Sequence, residues 1–85
     1  MFSIEYSKEA RKALKAMPRD TARLIVEKIE TLAANPMASN NNVRKLTNHP
    51  GYRLRVGDWR VIYIVYEQTL LIAVARIAPR GEVYQ

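Results

Sequence analysis

Apolar and polar residues alternate most clearly in residues 52–66, Y-R-L-R-V-G-D-W-R-V-I-Y-I-V-Y. Two runs rich in β-branched and aromatic residues flank Gly57 and Asp58. This pair is typical of tight hairpin turns, because glycine readily adopts positive φ. A turn here places Arg55 directly opposite Arg60. Because side chains alternate across a strand, one face carries Tyr52, Leu54, Val56, Trp59, Val61, Tyr63 and Val65, and the other carries Arg53, Arg55, Arg60, Ile62 and Ile64.

Two amphipathic helices are predicted before this hairpin. A short alternating strand, Phe2–Tyr6, leads to Ser7, which can cap a helix over Lys8–Met17. Pro18 ends that helix and can open the next, which spans Arg19–Ala34. The apolar stripe of the second helix consists of Ala22, Ile25, Val26, Ile29, Leu32 and Ala33.

Two further strands flank the hairpin. A short strand is predicted over Val43–Asn48, followed by a tight turn at residues 49–51. After a turn at Glu67–Thr69, Leu70–Ala78 predicts a long strand that is almost continuously apolar, which is typical of a strand buried on both faces. Arg76 interrupts this strand, and the sequence does not fix the register that decides which face it joins.

The order β-α-α-β-β-β-β predicts an α+β fold. In this fold two N-terminal helices pack on one face of a small, mostly antiparallel sheet. A chain of 85 residues predicts a single domain over residues 1–85. The apolar face of the hairpin should contact the helices, and its arginine face should stay open on the other side of the sheet.

Positive charge is concentrated in the second half of the chain. The net charge is +6, and residues 43–85 hold seven Lys+Arg against three acids, with six of the seven being arginine. Like charges directly opposite each other destabilise a sheet, so the arginine face indicates a surface for phosphate groups. The alternative is a solvated outer face on which the arginines cover their neighbours with their aliphatic parts.

Composition excludes several kinds of chemistry. The chain has no cysteine, which excludes disulfides and thiolate catalysis, and with one histidine we expect neither a metal site nor a cofactor. That histidine, His49, lies in a Pro-Gly turn and is expected to be a surface turn residue. Neither a signal-peptide pattern nor an apolar run near 18 residues is present. We therefore expect a cytoplasmic protein that does not associate with a membrane.

The order of elements, the segment Y-R-L-R-V-G-D-W-R-V-I-Y and the ending P-R-G-E-V-Y resemble the RelE/ParE superfamily of bacterial toxins over essentially the whole chain. Resemblance to the RelE branch implies a ribosome-dependent, metal-independent mRNA endonuclease. Such a toxin cleaves mRNA in the ribosomal A site by attack of the RNA 2′-hydroxyl. The implied partners are the ribosome, mRNA and a cognate antitoxin that neutralises the toxin in a hetero-oligomer.

The same resemblance implies the site residues. The catalytic residues would be Arg55, Arg60, Arg80 and Tyr84, and Arg53 and Arg55 would bind the RNA. Arg76 would either join this substrate-binding set or bind the antitoxin. Arginine stands where RelE has lysines and cannot act as a general base, which leaves proton abstraction unassigned except for Tyr84.

Two other functions remain open from the sequence. The ParE branch poisons DNA gyrase and cleaves no RNA. A non-catalytic nucleic-acid-binding module would use the same arginines for phosphate contacts alone, with strong salt dependence. The presence together of the basic set and a C-terminal tyrosine favours the RelE branch.

Overall fold

The sheet contains five strands in the order β1-β5-β4-β3-β2. The computed structural model describes residues 1–79. Neighbouring strands are antiparallel except β1 and β5, which are parallel, so the predicted α+β fold is confirmed. The elements are β1 (Ser3–Tyr6), α1 (Lys8–Ala16), α2 (Arg19–Ala34), β2 (Val43–Lys45), β3 (Tyr52–Val56), β4 (Trp59–Tyr66) and β5 (Leu71–Pro79).

The β3–β4 hairpin has the register that the sequence predicts. Arg55 pairs with Arg60, and Tyr52 pairs with Tyr63. Gly57 has a φ of 59°, which suits a type II′ turn, in which glycine occupies the first central position. The turn residues therefore fix which side chains face the helices.

The core lies between this hairpin and the two helices. The apolar hairpin face packs with the helix stripes, as predicted, because each element buries the one apolar face that its periodicity provides. Trp59 is half-buried against the edge of the core. The buried side chains of this cluster include Ala10, Met17, Ile25, Ile29, Leu32, Ala33, Leu54, Val56, Val61, Tyr63, Ile72, Val74 and Ile77.

A β-bulge in β5 decides which of its side chains join the core. Ile62 pairs with Arg76, whereas the next residue, Tyr63, pairs with Val74, which leaves Ala75 without an opposite residue. Without the extra residue, alternation would place Arg76 on the same face as Val74. The bulge instead turns Arg76 to the face opposite the helices and returns Ile77 to the core.

Ser7 connects this bulge to the first helix. Its hydroxyl accepts a hydrogen bond from the Ala10 backbone N–H at 3.0 Å, as a helix N-cap does. The same hydroxyl donates to the carbonyl oxygen of Ala75 at 2.6 Å. The backbone N–H of Ser7 also donates to the Val74 carbonyl, so the predicted cap residue holds the irregular part of β5.

Element ends differ from the prediction by a few residues. α1 ends at Ala16 rather than Met17, and β2 ends at Lys45 because the chain turns before Asn48. Leu70 belongs to the turn before β5, with a φ of 51°. The prediction that β5 is buried on both faces is only partly correct, because Ala75 is exposed.

The face opposite the helices has a small apolar centre of its own. Ile62 and Ala78 are buried there, and Leu46, which follows β2, packs over them. This face is therefore less open than predicted, because the β2–β3 connection folds onto it. Among residues 1–79, no helix is long and apolar enough to cross a membrane.

We predict that Ser7→Ala lowers the free energy of unfolding by about 1–2 kcal/mol, since it removes an N-cap and the bond to the bulge together. Urea denaturation would measure the loss. Ser7→Thr, which keeps both hydrogen bonds, and Ser39→Ala in the exposed loop should stay near wild type. A Ser7→Ala protein as stable as wild type would show that neither bond matters.

Tyr63 gives the core a dependence on alkaline pH. Its side chain is 1% exposed, and its hydroxyl has no hydrogen-bond partner among the described residues. Burial raises the pKa of Tyr63 to about 12, and charge repulsion from the neighbouring Tyr52 hydroxyl when it ionises adds to the effect. The unfolded chain therefore loses this proton at lower pH than the folded protein does.

Because the folded pKa of Tyr63 is the higher one, its contribution to stability is complete below pH 10 and is lost as the pH rises towards 12. We predict that Tyr63→Phe is at least as stable as wild type at pH 8 and loses less stability between pH 9 and 11. Urea denaturation across this range would test both points. Parallel pH profiles for the two proteins would contradict the assignment.

Candidate functional site

Five arginines lie on the face of the sheet opposite the helices. Directly paired residues of neighbouring strands point to the same face. The strand register therefore places the five arginine side chains on one face of the sheet. Their strands lie about 4.8 Å apart, which brings several positive charges within reach of one polyanion. We call this face the basic surface; it consists of Arg44, Arg53, Arg55, Arg60 and Arg76.

One row of the basic surface crosses four strands. Arg44 pairs with Arg53, Arg53 with Ile62, and Ile62 with Arg76. Ile62 is buried at the middle of this row. Arg53 and Arg76 are half-buried, whereas Arg44 is exposed. The row thus presents charged groups on both sides of an apolar centre.

A second row lies beside the first, towards the hairpin turn. Arg55 faces Arg60, and Arg60 faces Ala78. Arg55 donates through its backbone N–H to the Asn42 carbonyl at 2.8 Å, and its Nη2 lies 3.4 Å from Asn42 Oδ1. Arg60 Nη1 donates to the Trp59 carbonyl at 3.3 Å. These bonds use one guanidinium nitrogen of each arginine, and each fork keeps other donors.

The two rows enclose a small recess of about 90 Å³. Within residues 1–79, its lining contains only arginines and asparagines, and no carboxylate. Such a site offers hydrogen-bond donors and positive charge, which suits phosphate oxygens. It supplies no group that could accept a proton in catalysis. The lining residues are Asn41, Asn42, Arg44, Arg53, Arg55 and Arg60.

The structure brings together three of the residues that the sequence assigns to this site: Arg53, Arg55 and Arg60 share one face by the hairpin register and line one recess. Arg76 shares that face by its pairing with Ile62, but it lines a different recess, with Glu9 and Ala13 of α1. Arg80 and Tyr84 lie outside the described residues, so their roles stay predictions. Residues 1–79 contain no cluster of three side chains that could hold a metal ion.

Arg44 is a site residue that was not predicted from the sequence. It pairs with Arg53 on the basic surface and lines the recess. The signal was present in the segment V-R-K: since Val43 packs against the core, the next residue must point the other way. The short length of β2 hid that alternation, because three residues give no reliable period.

The family model for the ParE toxin of the type II toxin–antitoxin system parDE matches residues 4–84. A Methanocaldococcus jannaschii protein named for the toxin RelE1 is 31% identical over 86 residues, covering 99% of this chain and 96% of the relative. These matches extend over nearly all of the sequence, including the hairpin and the ending on which the resemblance rests.

Solved structures agree with these matches. The archaeal RelE–RelB complex from Pyrococcus horikoshii OT3 superposes with a TM-score of 0.82 at 30% identity, over 95% of this chain and 97% of that one. The intact Escherichia coli RelBE complex superposes with a TM-score of 0.81, over 96% of this chain and 100% of that one. At 15% identity the second likeness shows the fold alone. The chain belongs to the RelE/ParE superfamily and is a toxin of a type II toxin–antitoxin system.

Proposed function

We propose that this toxin is an endoribonuclease that cleaves mRNA in the ribosomal A site. The observation that carries the proposal is the basic surface, where β pairing places five arginines on one face and four of them line a recess that contains no carboxylate from residues 1–79. Folding alone does not favour this arrangement, because opposed like charges such as Arg55 and Arg60 destabilise a sheet. A bound polyanion would reverse that cost.

The proposed chemistry uses the 2′-hydroxyl of the RNA as the nucleophile. Its oxygen attacks the adjacent phosphorus, the bond to the 5′-oxygen of the next nucleotide breaks, and a cyclic phosphate forms. Negative charge grows on the phosphoryl oxygens and on the leaving oxygen. Arg55 and Arg60, fixed on paired strands, would stabilise that charge, which is commonly the largest single contribution to catalysis.

Positioning supplies the rest of the proposed rate enhancement. In-line attack requires the 2′-oxygen, phosphorus and leaving oxygen to be held in one geometry. The ribosome presents mRNA in a defined conformation, and Arg53 would hold a phosphate from the neighbouring strand. A shallow surface is then sufficient, and the small recess volume of about 90 Å³ is no obstacle.

Proton transfer is the part of the proposal with the fewest candidates. Arginine stays protonated at any accessible pH, so the guanidinium groups of the recess cannot accept the 2′-hydroxyl proton. We propose Tyr84 for this task and Arg80 as a further phosphate ligand. Both follow from the family resemblance and lie outside the described residues.

We propose a cognate antitoxin as the partner that blocks this surface. The P. horikoshii and E. coli relatives were solved as complexes with RelB. An acidic segment that folds on binding would neutralise the arginines and cover or distort the recess. The resulting toxin–antitoxin hetero-oligomer would form in the cytoplasm, where the ribosomes are.

Poisoning of DNA gyrase is the second candidate function. The observation that favours it is the match to a family model named for ParE over residues 4–84. The basic surface would then contact gyrase or DNA without cleaving RNA. Purified toxin should in that case trap gyrase-linked DNA breaks and leave mRNA on ribosomes intact.

Primer extension on mRNA-programmed ribosomes tests the first candidate. We predict cuts within the A-site codon, and a rate about 100-fold lower for Arg60→Gln, since removing one donor to a developing oxyanion typically costs that much. Arg23→Gln removes the same charge from an exposed position on α2 and should cleave like wild type. Equal loss in both variants would show that only net charge matters.

Thermal unfolding of the same variants separates function from folding. Arg55→Gln and Arg60→Gln should unfold at the wild-type temperature or above it, because each removes a repulsion of a few tenths of a kcal/mol. The hydrogen bond lost with Arg55, at 3.4 Å, is long and exposed. A clear loss of thermal stability in both variants would show that these arginines serve the fold.

A further inference from the structure

A second, larger recess lies beside the basic surface. It has a volume of about 580 Å³ and lies between β2, β3 and the connection over residues 46–51. Arg44 and Arg53 form one wall and also line the smaller recess. His49, Asn48 and Thr47 form the other wall. None of the described residues that line this recess carries a carboxylate, so its charge also favours an anion.

The connection that forms the outer wall is held at three points. Leu46 packs on Ile62 and donates its backbone N–H to the Gly51 carbonyl. Asn48 adopts a left-handed φ of 56°, which asparagine tolerates better than most residues. Gly51 is buried, and a Cβ there would lie 2.9 Å from the His49 ring and 2.8 Å from the Tyr63 carbonyl oxygen. The imidazole therefore lies directly against the Gly51 backbone.

The hydrogen bond of His49 defines which ring nitrogen is available. The Gly51 backbone N–H donates to His49 Nδ1 at 2.9 Å. A nitrogen that accepts a hydrogen bond carries no proton, so the neutral ring has its proton on Nε2. His49 thus presents one N–H donor from a ring whose orientation the backbone fixes. The role is more specific than that of the surface turn residue that the sequence predicts.

The two recesses form one path for an extended chain of phosphates. Arg53 and Arg55 point to the same face two residues apart on β3, about 7 Å along the strand. A phosphodiester strand that places one phosphate between Arg55 and Arg60 would place a neighbouring one near Arg53 and Arg44. Arg44 and Arg53 line both recesses, so the two recesses adjoin along the path of such a strand.

We propose that the recess between Arg44, Arg53 and His49 is a subsite for the nucleotide adjacent to the cleaved bond, with His49 Nε2–H donating to its phosphate or base. This rests on the proposed function, because the same RNA strand would occupy both recesses. The subsite would contribute to binding the RNA and would not take part in bond cleavage. His49 is therefore a substrate-binding residue.

NMR titration of the purified toxin with a 2′-O-methyl trinucleotide tests the subsite without chemistry, since the modified RNA cannot react. We expect shifts of the His49 ring and of the amides of residues 46–51 together with those around Arg55 and Arg60. Shifts around Arg55 and Arg60 alone at millimolar RNA overturn the subsite and leave the proposed function standing. Shifts at neither recess also overturn the subsite, while ribosomal cleavage still tests the function.

A hexaglutamate peptide serves as the control for charge alone. If the peptide shifts residues 46–51 as strongly as the trinucleotide does at equal charge concentration, the recess recognises an acidic protein segment, and the nucleotide assignment is wrong. Weaker shifts with the peptide support the assignment, because a nucleotide can contact the recess through its base and sugar as well as its charge, whereas a glutamate side chain offers only a carboxylate.

Two substitutions separate the proposed Nε2–H donor of His49 from its hydrogen bond with the Gly51 backbone. His49→Asn can keep an acceptor for the Gly51 N–H while lacking the Nε2 donor, and His49→Gln can place an amide donor near Nε2 while losing the acceptor. On ribosomes we expect His49→Asn to raise the half-saturating toxin concentration about 3- to 10-fold, the value of one hydrogen bond, at an unchanged maximal rate. His49→Gln should recover part of the affinity. Wild-type affinity in both variants, or a fall confined to the maximal rate, overturns the proposal.

Discussion

The extra residue in β5 is the constraint on which both faces of the sheet depend. A regular strand over Leu71–Pro79 would direct Arg76 into the helix-covered core and Ile77 away from it. Ala75, unpaired between Arg76 and Val74, reverses that order. Ser7 holds the bulge with its hydroxyl while it caps α1. Ser7 thus links the start of the first helix to the bulge that places Arg76 on the face of the basic surface.

The two faces of the sheet have different roles: one stabilises the fold and the other carries the positive charge. Side chains that face the helices supply the apolar burial that stabilises a domain of this size. Side chains on the other face lower the stability of the sheet, because like charges are paired: Arg55 with Arg60, and Arg44 with Arg53. The cost stays small because most of these groups are partly hydrated. Leu46 and Ile62 give the charged face a local apolar anchor.

The hairpin was predictable because two independent signals agree there: strict alternation fixes the faces, and Gly57 fixes the turn. That was enough to place Arg53, Arg55 and Arg60 together. β5 was not predictable in the same way, because a nearly continuous apolar run has no alternation from which a bulge could be recognised. The exposed turn position of His49 was predicted correctly. Its hydrogen bond with Gly51, two residues further on, was not predicted, because the sequence His-Pro-Gly does not fix the orientation of the ring.

If the basic surface is a repulsive arrangement maintained for a polyanion, Arg55 and Arg60 should repel each other in the free protein. A double-mutant cycle with glutamine at both positions, followed by urea denaturation at low and high salt, isolates the energy of that interaction. We expect a repulsion of about 0.5 kcal/mol at low salt that shrinks as salt screens it. A coupling that is favourable at low salt would mean that the two arginines stabilise the fold together, and the basic surface would then not be a repulsive arrangement.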